Sequence, residues 1–258
     1  MNKIFLLFLS ILFIGCSKSD DNSSAPAKNT IKHISETVYY SSNSSDTNSA
    51  TFNYENGILK NITEDGSNRK GEFIYNGDKI INYNYYEANT LMSSYTISYN
   101  GTMLTSMLTD ESLSNYQYID GKVSSYQYLA GSGTNYTLYE EENYEYTNNN
   151  VVVVNGTRYY ASTPSYYKWG YDYDSKNDLL KNMNPYLKFI FKFESTTPFS
   201  QNNALVGYTY NSSNARVQDY TYQITYNSDN FPTNIKKYST DSTGAIVRLI
   251  SDLTVEYN

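Results

Sequence analysis

Few residues of this chain are equipped for covalent chemistry. Of its 258 residues, His33 is the one histidine and Cys16 the one cysteine. Any Ser-His-Asp or Cys-His arrangement has to use His33, which reads as a surface residue at the start of the first strand. One imidazole and one thiol are too few for a zinc-type site, so neither a metal nor a cofactor is expected. Asp172-Tyr173-Asp174-Ser175-Lys176-Asn177-Asp178 gathers oxygen ligands of the kind calcium takes. It lacks the glycine at the sixth position, and the twelfth is Met183 instead of glutamate, so it reads as a solvated turn. Acids number 26. Glycoside hydrolysis needs one of them raised in pKa by an apolar pocket and a second roughly 5–9.5 Å away. No local pattern points to such a pair. Glu140-Glu141-Glu142 with Glu145 reads as an exposed strand edge blunted by charge. The chain is not expected to be an enzyme.

The densest candidate is aromatic. Tyr159, Tyr160, Tyr166, Tyr167, Trp169, Tyr171 and Tyr173 fall within 15 residues, and Trp169 is the only tryptophan. Aromatic faces stack on sugar rings, which makes the stretch a candidate ligand face. The same residues serve as cross-strand pairs worth roughly 0.2–1 kcal/mol each. Both readings stand at this point.

What must position these residues is a repeated unit: aromatic–x–Tyr, a tight turn, then aliphatic–x–x–aliphatic. It reads Phe52-Asn53-Tyr54-Glu55-Asn56-Gly57-Ile58-Leu59, then Phe73-Ile74-Tyr75-Asn76-Gly77-Asp78-Lys79-Ile80. It returns at Ile97-Ser98-Tyr99-Asn100-Gly101 and Tyr116-Gln117-Tyr118-Ile119-Asp120-Gly121-Lys122-Val123. Asn-Gly or Asp-Gly between alternating apolar residues is a hairpin signal, because a type I′ turn needs positive φ at both central residues. The unit's second aromatic recurs as Tyr54, Tyr75, Tyr99, Tyr118, Tyr146, Tyr173, Tyr210, Tyr226 and Tyr257, mostly at spacings of twenty-odd residues. One hairpin fits each interval, so roughly 16 strands are predicted. A twisted sheet of that size curls, and closing it removes its edges. The expected fold is all-β, a single antiparallel up-and-down meander strongly curved into a barrel or half-barrel. Leu187-Lys188-Phe189-Ile190-Phe191-Lys192-Phe193 alternates with period two and reads as a well-buried strand. The 31 tyrosines suit a structure whose side chains are half covered and half wet, since each ring buries area while its hydroxyl wants a polar partner.

The first residues read as an export signal. Lys3 precedes an apolar run from Ile4 to Ile14, too short for the ~20 residues of a spanning helix. The net charge of −7 and the absence of any Lys/Arg run argue against nucleic acid and against adhesion to anionic lipid. A membrane-embedded barrel would also alternate with period two. Tyr83-Asn84-Tyr85-Tyr86-Glu87 and Tyr144-Glu145-Tyr146-Thr147-Asn148 carry too many polar groups for its outward apolar band.

Five resemblances add to this reading. Phe13-Ile14-Gly15-Cys16 resembles the bacterial lipobox, which implies a lipid-modified Cys16 as mature N-terminus and so accounts for a lone thiol. Ser17-Lys18-Ser19-Asp20-Asp21 resembles the acidic tether that Bacteroidota lipoproteins use as a surface-export signal. Asp241-Ser242-Thr243 looks like a Bacteroidota O-glycosylation acceptor. The Tyr-x-Tyr-(Asn/Asp)-x-x-Gly pattern is similar to YD repeats of the RHS type, although most units here have Tyr-Asn. Ser200-Gln201-Asn202-Asn203-Ala204-Leu205, Tyr208-Thr209-Tyr210 and Tyr226-Asn227-Ser228-Asp229-Asn230-Phe231-Pro232-Thr233-Asn234-Ile235 resemble uncharacterised Bacteroidota lipoproteins with a domain described as porin-like. That likeness implies a barrel-like sheet and an envelope location, and no activity.

The expected organisation is a signal peptide over 1–16, a flexible tether over 17–30 reaching about 20 Å, and one all-β domain over 31–258. The expectation is an outer-membrane lipoprotein, facing the cell surface or the periplasm, that acts as a non-catalytic binding or structural module for glycan, peptide or an envelope protein. A small-molecule carrier using the barrel interior, or a carboxylate-based hydrolase, is the alternative.

Overall fold

The computed structural model describes residues 27–41, 44–160, 163–191, 197 and 199–258. The signal segment, Cys16 and the tether up to residue 26 lie outside the described residues. The first half of the sheet is β1 (Ile31–Ser41), β2 (Ser44–Glu55), β3 (Ile58–Glu64), β4 (Arg69–Asn76), β5 (Lys79–Glu87), β6 (Thr90–Asn100), β7 (Met103–Leu108) and β8 (Ser112–Ile119). The second half is β9 (Lys122–Ser132), β10 (Asn135–Thr147), β11 (Asn150–Arg158), β12 (Ser165–Tyr173), β13 (Ala204–Tyr210), β14 (Arg216–Tyr226), β15 (Pro232–Thr240) and β16 (Ile246–Tyr257). Each strand pairs antiparallel with its sequence neighbours, and β1 pairs with β16, closing an up-and-down barrel. Asn56-Gly57 and Asp120-Gly121 have positive φ at both positions, as type I′ requires. At Gly77-Asp78 and Gly101-Thr102 only the glycine does, the type II′ pattern, which puts the glycine first in the turn.

The aliphatic–x–x–aliphatic spacing has a structural cause. Strict alternation would turn inward residues i and i+2, not i and i+3. Leu59 and Ile62, Leu104 and Met107, and Val151 and Val154 nevertheless all belong to the core. Each odd-numbered strand carries one extra residue after its first core position. The register shifts there, for example between Asn53↔Asn61 and Tyr54↔Leu59, and between Ser98↔Ser106 and Tyr99↔Leu104. A β-bulge resets the phase. The shift recurs opposite Tyr75, Tyr118, Tyr146, Tyr173, Tyr226 and Tyr257.

The bulged ends leave carbonyls beyond the ladder to the next strand, and the recurring tyrosines reach them. Tyr54, Tyr75, Tyr99, Tyr118, Tyr173 and Tyr257 donate their hydroxyls to the carbonyls of Ile31, Leu59, Ile80, Leu104, Val151 and Pro232 at 2.6–2.9 Å. Tyr226 donates to Asp174 instead, and the buried hydroxyl of Tyr146 has no partner among the described residues. These tyrosines end the even-numbered strands and ring one end of the barrel. Tyr210 is different: it ends β13, at the other end, so the ring has eight members and the ninth marker is a coincidence of sequence.

The ringed end is closed. A barrel of about this strand number leaves an aqueous channel in porins. Here the described residues of the connection from β12 to β13 (174–191, 197 and 199–203) fold into the lumen, with Leu179, Leu180, Met183, Tyr186 and Leu187 buried. The strand predicted over Leu187–Phe193 is not found in its described part, residues 187–191, where Leu187–Ile190 is one helical turn, α1; residues 192 and 193 lie outside the described residues. The barrel is complete without it, so no partner strand is at hand. A helical turn supplies its own bond, from Phe191 N–H to the Leu187 carbonyl at 2.8 Å. Asparagines clasp this plug. Asn150 accepts from the N–H groups of Gln201 and Asn202 at 2.9 and 3.0 Å, and Asn177 donates to the Asp229 carbonyl at 2.9 Å. Ser200 accepts from the Val151 N–H at 3.1 Å and donates to the Tyr173 hydroxyl at 2.9 Å. The residues of the C-terminal motif, 200–203 and 227–230, thus hold the plug. Asn29 and Thr30 are buried at the same end, where Asn29 N–H meets the Asn258 carbonyl at 3.2 Å.

Candidate functional site

Between the plug and the opposite mouth lies a cavity of about 390 Å³, within the size range of ligand pockets. Its floor is the plug: Leu179, Leu180, Phe189, Phe199 and the half-buried Lys188–Asp178 ion pair at 2.9 Å. Its polar wall comes from β10, β11 and β12. Counting back by twos from the inward Tyr146 makes Tyr144, Glu142 and Glu140 inward as well, and all three line the cavity except Tyr146 itself. The reading of Glu140–Glu142 as a blunted edge is therefore corrected. A closed barrel has no edge, and Glu140 and Glu142 face the lumen, while Glu141 points out to the Tyr159 hydroxyl at 2.7 Å.

Gly156 makes room for the wall's main aromatic. Tyr167 stands opposite it across the ladder, and a Cβ there would lie 2.0 Å from the ring. The ring crosses the bare backbone, so its hydroxyl reaches Glu142 at 2.7 Å and Glu140 at 3.0 Å. Tyr144 adds a second hydroxyl to Glu142 at 2.5 Å. Burial first, then the Glu142 carboxylate, push both phenols far above their ordinary range, so they remain donors. Burial likewise pushes Tyr126 up to about 12. Arg158 donates through Nε to Glu140 at 2.7 Å, and its guanidinium lies 4.6 Å from the Tyr167 ring centre and 5.8 Å from that of Trp169. Tyr167 and Trp169 overlap at 4.4 Å with 31° between planes, forming one aromatic platform.

Strand alternation divides the aromatic candidates. Tyr167, Trp169 and Tyr171 face inward along β12, and Trp169 and Tyr171 line the cavity. Tyr173 belongs to the closed-end ring. Tyr160 sits at the mouth, 4.3 Å from Tyr139 and within reach of Arg158. Tyr159 pairs with Glu141 on the outside, and Tyr166 is 78% exposed. Arg158, Glu140, Glu142 and Gly156 were not among the sequence candidates, although the period-two phase fixed by Tyr146 pointed to the two acids.

The other candidates diverge. His33 meets Asp65 at 2.6 Å near the surface. Asp172 pairs with Arg216 at 3.0 Å and Tyr208, Asp174 with Tyr226 and Asn203, and Asp178 with Lys188. The three aspartates of the calcium-like segment thus turn to separate protein donors. Asp241 accepts from the Thr243 hydroxyl at 2.6 Å in the β15–β16 turn.

Positions alternating with the core carry polar pairs on the outer wall: Asn53–Asn61, Asn84–Ser94, Glu145–Asn155 and Asn234–Asp252 at 2.6–3.0 Å. A transmembrane barrel is built the opposite way, apolar outside and polar inside.

No protein-family model matches the chain, and no curated protein matches it. Among solved structures it is similar to a porin-like protein from Bacteroides vulgatus ATCC 8482, with TM-score 0.50 and 10% identity, covering 89% of this chain and 98% of that one. It is also similar to a porin-like protein from Bacteroides uniformis ATCC 8492, with TM-score 0.41 and 12% identity, covering 91% and 100%. At these identities the likeness is one of fold: the chain is a closed antiparallel barrel of 16 strands, and the comparisons do not bear on YD repeats or lipid attachment.

Proposed function

We propose that this barrel is a non-catalytic module that binds a small ring-bearing ligand in its lumen, tethered to the envelope by a lipidated Cys16. The observation that carries this reading is the plugged, partly empty interior. A cavity of about 390 Å³ is walled by Trp169 and Tyr171, with Tyr167 stacked behind Trp169, and furnished with Glu140, Glu142 and Arg158. The interior alternative stated from sequence is thereby preferred to an outer aromatic face. The outward members Tyr159 and Tyr166 are spread over a polar wall, whereas the inward ones converge. Both carboxylates are engaged by neighbouring donors on their own side of the wall, an arrangement that supports binding over hydrolysis.

The polar outer wall supports a barrel standing in water, not in lipid. Residue 27 emerges at the closed end, so a tether of about ten residues, reaching roughly 17 Å, would turn the plug toward the membrane and the mouth away from it. Outer-membrane attachment with the mouth facing the cell exterior or the periplasm belongs to the same proposal.

Saturation-transfer NMR tests the binding reading. The purified chain is screened against mixed saccharides, nucleosides and dipeptides, with Trp169→Ala as reference. At least one compound is expected to receive saturation from the native chain and lose it with the variant. A wholly silent library, or signals unaffected by the substitution, refutes lumenal binding. Palmitate labelling that persists in Cys16→Ser refutes the anchor.

A further inference from the structure

We infer that the lumenal ligand is a neutral saccharide of one or two rings, read by Arg158 and Glu142 and stacked on the Trp169 ring, which Tyr167 backs. This rests on the lumenal reading above and narrows it to a chemical class. Charge is the first argument. Among the described lining residues, three carboxylates (Glu140, Glu142, Asp178) face three cations (Arg158, Lys188, Lys237). A ligand with net charge would upset that balance in a partly desolvated space, where an unpaired charge is costly.

Unspent hydrogen-bonding capacity is the second. A carboxylate offers roughly four acceptor sites. Glu142 accepts from two hydroxyls, of Tyr144 and Tyr167. Among the described residues the Arg158 hydrogen bond runs through Nε alone, which leaves the outer guanidinium N–H groups as donors. Acceptors and donors therefore stand side by side on one wall. A ligand that satisfies both from neighbouring atoms must donate and accept at adjacent positions, as vicinal hydroxyls do. The Trp169 ring, which lines the cavity and is backed by Tyr167 at 4.4 Å, supplies an apolar plane beside those groups. A pyranose presents the matching pair of surfaces: a C–H face and a hydroxyl-bearing edge. The volume of about 390 Å³ limits the guest to a short saccharide.

Trp169 is the only tryptophan and lines the cavity, so its emission reports occupancy directly. The full chain, held in a detergent without a sugar headgroup, is titrated with cellobiose, maltose and diacetylchitobiose. Parallel titrations use digalacturonate, the glucosamine dimer, adenosine and Gly-Arg. At least one neutral disaccharide is expected to give a saturable emission change, about tenfold tighter than either charged dimer. Arg158→Met and Glu142→Gln are each expected to weaken that binding about tenfold or more while the thermal transition remains cooperative. Equal or tighter binding of the charged dimers overturns the saccharide assignment, as does an unchanged affinity in both variants. Saturation by adenosine or Gly-Arg alone overturns the saccharide class and leaves lumenal binding standing. Silence from every probe, together with a silent NMR library, removes both.

Discussion

The tyrosine ring makes a prediction in which one chemical change has opposite signs at equivalent positions. Tyr75, Tyr99 and Tyr118 donate to the carbonyls of Leu59, Ile80 and Leu104 at 2.6–2.7 Å. Removing one hydroxyl as Tyr→Phe loses a net hydrogen bond of about 1 kcal/mol and leaves a carbonyl without its donor. In a domain of this size, 1 kcal/mol moves the melting temperature by about 2–4 °C. Tyr146 occupies the same ring position, yet its hydroxyl is buried without a partner among the described residues. An unsatisfied buried hydroxyl costs about 1–3 kcal/mol, so Tyr146→Phe is expected to leave stability unchanged or raise it by about 1 kcal/mol. Urea titrations of the four variants, compared at constant m, read the difference as a shift in midpoint. A Tyr146→Phe midpoint that falls as far as the other three refutes the capping role assigned to the hydroxyls.

Alkaline pH should unfold the barrel steeply. Burial, the leading cause, holds Tyr83, Tyr126 and Tyr173 at about 12, against 10.0 for an exposed phenol. The folded state favours the neutral form, so this stabilisation is intact below about pH 10 and is lost as pH climbs toward 12, each group adding about −1.4 kcal/mol per pH unit. Circular dichroism and phenolate absorbance should change together; a barrel that keeps its dichroism after these phenols ionise contradicts the assignment. Gly156→Ala places a methyl against Tyr167 and should expel the ring from the wall, giving a red-shifted Trp169 emission and a loss of about 1–3 kcal/mol; unchanged emission argues against the close crossing. Asn150→Ala frees the N–H groups of Gln201 and Asn202, at about 1–3 kcal/mol, and should expose residues 174–203 to protease before the strands. Simultaneous cleavage of both would mean that the plug is not an independent unit.

The hairpins were legible because their determinants are local. Asn-Gly and Asp-Gly turns and inward tyrosines lie within a few residues of one another, and strong curvature followed from the number of strands, a closed barrel and a half-barrel both fitting it. The aliphatic–x–x–aliphatic spacing was visible too, and its three-residue step is the mark of a bulge in a period-two strand. The plug was not legible. Leu187–Phe193 alternates as a strand would, but among its described residues Leu187, Phe189 and Phe191 pack in the lumen without sheet pairing. The aromatic stretch 159–173 looked like one face because sequence proximity hides the two sides of a strand. Glu140 and Glu142 looked like edge charges because their half-buried partners, Tyr167 and Arg158, come from the next two strands.

The abundance of tyrosine is therefore two populations under one letter. At the closed end a hydroxyl meets a carbonyl released by a bulge, and the ring packs among aliphatic neighbours; such a residue is saturated in both its polar and its apolar part. At the mouth side the hydroxyls of Tyr144 and Tyr167 meet carboxylates that keep further acceptor sites, and the Tyr167–Trp169 platform stands beside an unfilled volume. Carboxylates take the place of carbonyls because β10 places glutamate at two successive inward positions, Glu140 and Glu142. Replacing Glu140 and Glu142 together with Gln would leave hydroxyl partners for both tyrosines but remove the charge that Arg158 answers. The fold should survive such a change, since its ring and plug are untouched, while the wall loses what distinguishes it from the rest of the interior. A double variant that unfolds would show that these acids hold the barrel together, and the division between structural and recognising tyrosines would have to be redrawn.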